Sequence, residues 1–202
     1  MDKEQIWRRV CDVWEIEAKT VTGLKNTVDA NTVADAVKML AERRGKVVTV
    51  GVGTSAAAAR KIAHTLSCIE IPAFFLSPGD GVHGALGVVQ KGDVVIAISK
   101  GGDTEEIAKI LPAVKAKGVN LIGVTENENS VLGSAADICL KIKVEKEACP
   151  FNMLATASAM AVIAVFDAMA IALMEVTGYT RDKFAIIHPG GAVGERLLKG
   201  KK

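Results

Sequence analysis

Residues Ser99 to Thr104, which read SKGGDT, combine several features that bind phosphate in proteins. They follow the apolar run Val94–Ser99, which predicts a buried strand, and they precede a helix that Asp103 or Thr104 would cap. A glycine-rich turn between a strand and a helix leaves backbone N–H groups unpaired at the positive end of the helix dipole, where an anion is stabilised. The lysine precedes the glycines, so this is not a GxxxxGK[ST] nucleotide loop. The residues predicted to bind the phosphate are Ser99, Lys100, Gly101, Gly102 and Thr104.

The elements that must position this loop alternate along the chain from residue 46. Strands are predicted at 46–52, 73–76, 94–99, 120–125 and 138–144, with helices at 55–66, 104–117 and 130–135, and a short helical piece or loop at 83–88. This alternation predicts an α/β fold: a three-layer α-β-α sandwich around a five-stranded parallel sheet, Rossmann-like in arrangement. Because right-handed crossovers bring the carboxyl ends of all strands to one edge, a ligand site is expected there. That edge collects Gly53, Thr54, Ser55, Ser77–Pro78, Ser99–Thr104, Thr125 and Glu145–Pro150.

Two amphipathic helices are predicted before the first strand, at 4–28 and 32–44, with Asn31 as the cap of the second. They would form a helical hairpin outside the sheet. The hairpin either packs against the core or mediates oligomerisation, and we favour oligomerisation. We interpret the 202 residues as a single domain, with the hairpin in 1–45 and the α/β core and C-terminal helices in 46–202.

The segment Met153–Met174 is apolar and long enough to span a bilayer. It is rich in small residues, carries Asp167 and lacks a flanking positive cluster, so we favour a buried central helix or a helix at a subunit interface. The predicted helix runs from about 154 to 177 and ends at Gly178. A short helix at 180–185 and a last one from Val193 are predicted beyond it.

Composition narrows the functional class. A formal net charge of +2 gives no electrostatic reason to expect nucleic acid. The four cysteines are far apart without a C-x-x-C pair, and no metal-ligand spacing is present, so we expect neither disulfides nor a metal. The N-terminal residues have no apolar signal region, so we expect a cytoplasmic protein without a membrane anchor.

Four motifs together resemble the sugar isomerase (SIS) domain family, and more narrowly its arabinose 5-phosphate isomerases. They read GVGTS at Gly51–Ser55, SKGGDT at Ser99–Thr104, EKEACP at Glu145–Pro150 and HPGGAVGERLL at His188–Leu198. The resemblance covers residues 40 to 199. It implies isomerisation of a phosphorylated pentose through an enediol, without a cofactor, in a homotetramer whose sites are completed across subunits. Carried over by position, it implies functional roles for His83, Glu106, Glu147 and His188.

The chain also departs from the family pattern. The first family loop usually reads G-x-G-K-S-G, but Thr54 stands at the lysine position and Ala56 at the following glycine; the second usually reads S-N-S-G-E-S. Lys100 in the second loop would compensate for the charge lost from the first. The regulatory CBS modules that often follow the family domain are expected to be missing, because the sequence ends at Lys202.

Isomerisation needs a base for a carbon-bound proton, and its pKa should be raised toward neutral by partial burial or a nearby acid. Glu147 is our candidate, although it could instead cap the following helix. His188 could shuttle protons or open the sugar ring in a neighbouring subunit's site, or be a surface residue. His83 would have a substrate or acid–base role, and Glu106 either binds sugar hydroxyls or a lysine or favours the helix dipole. His64 is assigned no role, and Cys149 is interpreted as structural.

Three functions follow from these residues. The first is an arabinose 5-phosphate/ribulose 5-phosphate isomerase acting through an enediol. The second is a non-catalytic sugar-phosphate sensor on the same fold, which the missing loop lysine favours and the retained glutamates and histidines oppose. The third is isomerisation of another phosphosugar, such as a hexulose phosphate or an amino sugar phosphate. We favour the first.

Overall fold

Among residues 1–189, which a computed structural model describes, five parallel strands form one sheet. Their order across the sheet is β2-β1-β3-β4-β5. All residues of β1 and β3 are buried, as expected for central strands covered on both faces. The strands are β1 (Val47–Gly51), β2 (Ala73–Leu76), β3 (Val94–Ile98), β4 (Asn120–Thr125) and β5 (Ile138–Lys141).

The helices cover both faces of this sheet. Alternate residues of β3 point to opposite sides: Ile96 packs in a core with α2, α3 and α7, whereas Val95 packs in a core with α5 and α6. The predicted three-layer arrangement is therefore confirmed. The helices are α1 (Lys3–Thr27), α2 (Ala30–Glu42), α3 (Thr54–Ser67), α4 (Pro78–Gly81), α5 (Glu105–Ala116), α6 (Val131–Ala135), α7 (Ala157–Val176) and α8 (Arg181–Ile187), with a 3₁₀ turn at Ala85–Val88.

Two predicted helix caps differ from the structure. Helix α2 begins slightly earlier than expected and is capped by Asp29, whose carboxylate accepts from Thr32 N, rather than by Asn31. Thr104 occupies the N-cap position of α5 without a side-chain cap bond, while Asp103 Oδ1 accepts from Val131 N at 2.8 Å. In α5 the two side chains have other partners, since Asp103 bonds to Val131 and Thr104 Oγ1 lies 2.7 Å from Ser99 Oγ within the loop.

Strand β5 ends at Lys141, earlier than the predicted Val144, and α7 begins at Ala157, later than the predicted Leu154. Between them, residues 142–156 form neither a helix nor a strand. The predicted stop of α7 at Gly178 is confirmed, since this glycine has φ +61°. The predicted last helix from Val193 lies outside the described residues.

Helix α7 is long and apolar enough to cross a membrane, and 44% of its most apolar window is buried inside the structure. It contacts α1, α2 and α3, and its residues Phe166, Met169 and Leu173 lie in the core. The charged Asp167 pairs with Lys61 of α3. These contacts agree with the interpretation as a central helix of the fold.

Candidate active site

A small cavity lies at the carboxyl edge of the sheet, where the ends of β3 and β4 meet the first turns of α3 and α7. Its volume is about 40 Å³. Its polar lining comes from two helix starts, one loop and the end of β4, which is the location predicted from the topology. The polar side chains that line it are those of Thr54, Ser55, Lys100, Thr125 and Ser158.

The loop between β3 and α5 is held by its own hydroxyls. Ser99, only 3% exposed, has its Oγ 2.7 Å from Thr104 Oγ1 and accepts from Gly102 N at 3.1 Å. Thr125 Oγ1 donates to the Lys100 carbonyl at 2.9 Å. In this conformation, the hydroxyls of Ser99 and Thr104 therefore shape the loop, and each keeps lone pairs that a ligand could share.

Gly102 is required by this shape. Its φ is +84°, and a Cβ atom there would lie 1.8 Å from Ser130 Oγ and 2.9 Å from Thr125 Oγ1. Gly101 is exposed, and a Cβ there would meet nothing within 4 Å. Only the second glycine of the pair is thus needed for the fold of the loop.

Glu147 is the most completely bonded side chain at this edge among the described residues. Its side chain is fully buried, and Oε1 accepts from Lys100 Nζ at 2.6 Å and from Ser158 Oγ. Oε2 accepts from the backbone N–H groups of Thr156 at 2.9 Å and Ser158 at 3.2 Å, and from Thr156 Oγ1 at 3.2 Å. The carboxylate therefore caps the N-terminus of α7, as in the alternative interpretation of this residue.

This environment sets the ionisation of Glu147. Burial of the carboxylate favours the neutral acid, but the hydrogen bonds from Lys100, Ser158 and the backbone outweigh burial and lower the pKa from 4.5 to about 2. The expectation that partial burial raises this pKa toward neutral is wrong for this conformation, because the sequence did not show how many donors surround the group.

Lys100 lies between two carboxylates. Its Nζ is 2.6 Å from Glu147 Oε1 and 3.7 Å from Glu126 Oε1. Burial lowers the pKa of the ammonium, but the two carboxylates outweigh burial and raise it, so Lys100 is charged. Thr54, which stands where the family pattern has a lysine, lines the same cavity as Lys100. The lysine of the second loop therefore lies in the site where the first loop lacks one.

Glu106 lies at the same edge but in a neighbouring groove of about 400 Å³. This groove also receives Gly53, Arg60 and Ser77. Glu106 is exposed in the first turn of α5 and does not line the cavity that contains Lys100. Gly53, the N-cap of α3 with φ +57°, lines the groove while Thr54 lines the cavity, so the two spaces adjoin.

The two candidate histidines lie on other elements. His83 is exposed in the turn after α4, where its backbone N–H donates to Asp80 O. His188 follows α8, with its ring stacked on Phe184 at a centroid distance of 3.9 Å and Nδ1 2.9 Å from the Phe184 carbonyl oxygen. The described contacts of the His188 ring are thus with its own helix, and its predicted reach into another subunit stays a prediction.

Sequence reasoning missed Thr156 and Ser158, which contact Glu147, and Glu126, which pairs with Lys100. A signal for the first two was present, since Thr and Ser are typical of helix starts. The predicted start of α7 at Leu154 was too early to use it. Glu126 was missed because the residues predicted for the sheet edge stopped at Thr125, the last residue of β4, and Glu126 is the next residue in the chain.

A metal site would need a cluster of acidic, histidine or cysteine side chains. In the part of the chain that the structure describes, no group of three or more His, Cys, Asp or Glu side chains could hold a metal ion.

Cys149 Sγ accepts from the backbone N–H groups of Met153 and Leu154, each at 3.1 Å, and these bonds lower the pKa of the thiol. Cys149 is partly exposed rather than buried, and its sulfur closes a turn within residues 149–154.

Comparison with known proteins places this chain in a family. The SIS domain model matches residues 39–172, so the chain belongs to the SIS domain family. It is 44% identical over 163 residues to arabinose 5-phosphate isomerase KdsD of Pseudomonas aeruginosa, covering 81% of this chain and 50% of that protein. It is 41% identical over 187 residues to the KdsD of Escherichia coli, covering 93% and 57%. The chain thus spans about half the length of these curated relatives.

Solved structures agree with the fold. A protein of Listeria monocytogenes proposed to be a sugar-phosphate isomerase superposes with a TM-score of 0.93 at 49% identity, covering 94% of this chain and 100% of that one. An Escherichia coli protein in complex with arabinose 5-phosphate superposes with a TM-score of 0.90 at 36% identity, with the same coverages. Both confirm the parallel α/β fold predicted from the sequence.

Proposed function

We propose that the chain is an aldose–ketose isomerase of phosphorylated sugars, with D-arabinose 5-phosphate and D-ribulose 5-phosphate as the substrate pair. Three observations support this function: the family membership, the identity to the KdsD isomerases, and the similarity to a protein solved in complex with arabinose 5-phosphate. The observation that carries it is the juxtaposition of the buried Glu147 carboxylate with Lys100 in a cavity lined by hydroxyls.

In this proposal, the β3–α5 loop and the start of α3 bind the phosphate. Backbone N–H groups at a helix start, hydroxyl groups and a lysine form a site suited to a phosphate dianion. The residues assigned to phosphate and substrate binding are Gly53, Thr54, Ser55, Ser99, Lys100, Gly101, Gly102 and Thr104. Lys100 is assigned the charge that Thr54 does not supply.

Glu147 is assigned the role of general base. It would take the proton from C2 of the open-chain aldose, and the electron pair of that C–H bond would form the C1–C2 double bond of the enediol while the carbonyl oxygen receives a proton. Return of a proton to C1, with loss of the proton from the C2 hydroxyl, gives the ketose, so the reaction is redox-neutral and needs no cofactor. His188 and His83 are assigned proton transfers to the sugar oxygens or ring opening, and Glu106 is assigned to sugar hydroxyls.

We also propose a cytoplasmic homotetramer, a dimer of dimers in which His188 reaches a neighbouring subunit's site. Exposed apolar side chains support association. Trp7 and Trp14 stack edge to face on α1, each more than half exposed, and Met160 and Ile171 are exposed on α7. Size-exclusion chromatography with light scattering would measure the mass of the assembly.

The test of function is proton exchange measured by NMR. The protein would be incubated in D₂O with arabinose 5-phosphate and, separately, with other pentose, hexulose and amino sugar phosphates. Deuterium at C2 of one aldose, with its ketose appearing, would establish the enediol reaction and its substrate. If no sugar exchanged while one raised the melting temperature, the isomerase proposal would fail in favour of the sensor.

A further inference from the structure

The Lys100–Glu147 pair joins the two halves of the proposed site. Lys100 belongs to the proposed phosphate loop and Glu147 is the proposed base, yet their side chains are 2.6 Å apart. A lysine held by a carboxylate is a weaker phosphate ligand, and a carboxylate held by an ammonium is a weaker base. Each residue thus reduces the activity of the other in this conformation.

The space around the pair leads to the same conclusion. The cavity that Lys100 lines measures about 40 Å³, whereas pockets for small metabolites hold about 300–1,000 Å³. Ala155 and Ser158 line the side of the cavity next to Glu147, and Lys100 lines the loop side. A phosphosugar that placed its phosphate between Lys100 and Glu147 would therefore have to separate the two side chains, while the adjoining groove of about 400 Å³ has room for the rest of the sugar.

Lys100 is the member of the pair that is able to leave. Glu147 keeps two backbone and two hydroxyl donors without it, from Thr156 and Ser158. The Lys100 side chain is 41% exposed and keeps a second carboxylate nearby, because Glu126 Oε1 is 3.7 Å away. That oxygen is buried and has no hydrogen-bond partner among the described residues, so an ammonium that moves toward it completes its bonding.

We propose that the Lys100–Glu147 ion pair is a latch that the phosphate of the substrate opens, so that Lys100 moves onto the phosphate and Glu147 is released to act as the base. This inference rests on the proposed isomerase function. In this inference the phosphate both anchors the substrate and releases the base. Lys100 is then a positioning residue, because its contact with Glu147 controls how basic that carboxylate is.

The charges around Glu147 agree with this role. Among the described residues, Lys100 is the cation in contact with it, and Glu126 lies beyond Lys100. The sequence neighbour Glu145 is paired with Lys19 on α1, and Lys146 lies between the two glutamates in the sequence. When Lys100 leaves, fewer hydrogen-bond donors oppose the effect of burial on the Glu147 carboxylate. The pKa of Glu147 therefore rises when substrate is bound, and the carboxylate becomes a stronger base.

The first test is a double-mutant cycle of binding, which does not require turnover. Arabinitol 5-phosphate, which has no carbonyl group and cannot be isomerised, would be titrated by calorimetry into wild type, Glu147→Gln, Lys100→Met and the double variant. The latch predicts that Glu147→Gln tightens binding by roughly fivefold, the upper range for a partly exposed ion pair. The gain should disappear in the Lys100→Met background, because no lysine remains to be released.

The cycle also separates the latch from general electrostatics. Removing any negative charge near a phosphate improves its binding, with or without Lys100. An equal gain in both backgrounds would therefore overturn the proposal, and so would no gain in either. Lys61→Met is a matched control, since it breaks the Lys61–Asp167 pair on α3 and α7 and should leave the affinity unchanged.

The second test uses the pH dependence of turnover. The acid limb of kcat/KM reports Glu147 in the free enzyme, and that of kcat reports it with substrate bound. A latch places the kcat limb at higher pH than the kcat/KM limb in wild type, and Lys100→Met should bring the two limbs together. Coincident limbs in wild type would overturn the latch while leaving the isomerase function intact; absence of turnover with every sugar would overturn the function itself.

Discussion

Two buried carboxylates lie at opposite edges of the same sheet, and each is paired with a lysine. At the amino edge, Asp93 is 2% exposed and accepts from Lys46 Nζ at 2.6 Å, Lys46 N at 2.9 Å and Gln90 N at 2.7 Å. At the carboxyl edge, Glu147 accepts from Lys100 and from the start of α7. Burial raises and lysine contacts lower the pKa of both groups, and the net shift is downward for both.

The difference lies in what holds the two partners. Lys46 and Asp93 directly precede β1 and β3, which are neighbours in the sheet, and a Cβ at Gly45 would lie 2.2 Å from Asp93 Oδ1. Both members of that pair are fixed by regular structure. Lys100 and Glu147 lie instead in a loop and in an irregular segment, and they border a cavity. The same kind of ion pair therefore joins two strands at one edge and remains separable at the other.

The largest expected effect comes from Glu147→Gln. If Glu147 is the base, kcat should fall by about 10² to 10⁴, the range for general-base catalysis, while the glutamine retains hydrogen bonds to the start of α7. Steady-state kinetics with arabinose 5-phosphate would measure this loss. Asp93→Asn is the matched control at the other edge and should keep kcat per folded molecule. Similar losses of kcat in both variants would contradict the contrast between the two carboxylates.

Asp93→Asn should instead reduce stability. The amide cannot accept from all three donors and leaves the Lys46 ammonium without its partner, so we expect a loss of about 2–3 kcal/mol in the free energy of unfolding. Urea denaturation followed by circular dichroism would measure it. If the free energy of unfolding fell less in Asp93→Asn than in Glu147→Gln, the amino-edge pair would not join the strands as inferred.

Gly102→Ala tests whether the carboxyl-edge loop depends on one glycine. The positive φ and the contact with Ser130 should cost roughly 1–2 kcal/mol and displace the loop, so KM should rise. Melting temperature and steady-state kinetics would report the two effects. Gly101→Ala is the control for stability, since its Cβ meets open space, and an equal fall in melting temperature there would be unexpected.

A fourth effect is on the acid stability of the fold, and it is confined to low pH. The folded pKa of Glu147 is depressed from 4.5 to about 2, so its contribution is present above pH 4.5 and is lost as the pH falls toward 2. Glu147→Gln has no such group and should lose less stability across this window than wild type does. Thermal unfolding at a series of pH values would measure the difference. Parallel curves for the two proteins would show that Lys100 does not hold the carboxylate in solution.

Much of the fold was predictable because its signals are local. Buried β-branched runs predicted the strands, and the alternation of strands and helices predicted the parallel sheet. The short helix predicted at 130–135 is observed as α6, which Ser130 caps. One difference arose from a distant partner. Of the two residues expected to cap α5, Thr104 occupies the N-cap position, whereas Asp103 bonds to Val131, which is 28 residues away.

The candidate site was predictable as an edge and as a set of loops, but not as a set of contacts. The sequence by itself determined which segments reach the carboxyl edge, because topology follows from local pattern and from the handedness of crossovers. Only the tertiary structure decided that Lys100 and Glu147, 47 residues apart, form an ion pair and that Thr156 and Ser158 surround the carboxylate. Distances between side chains, and the pKa values they set, depend on how separate segments pack, and no local pattern encodes that packing.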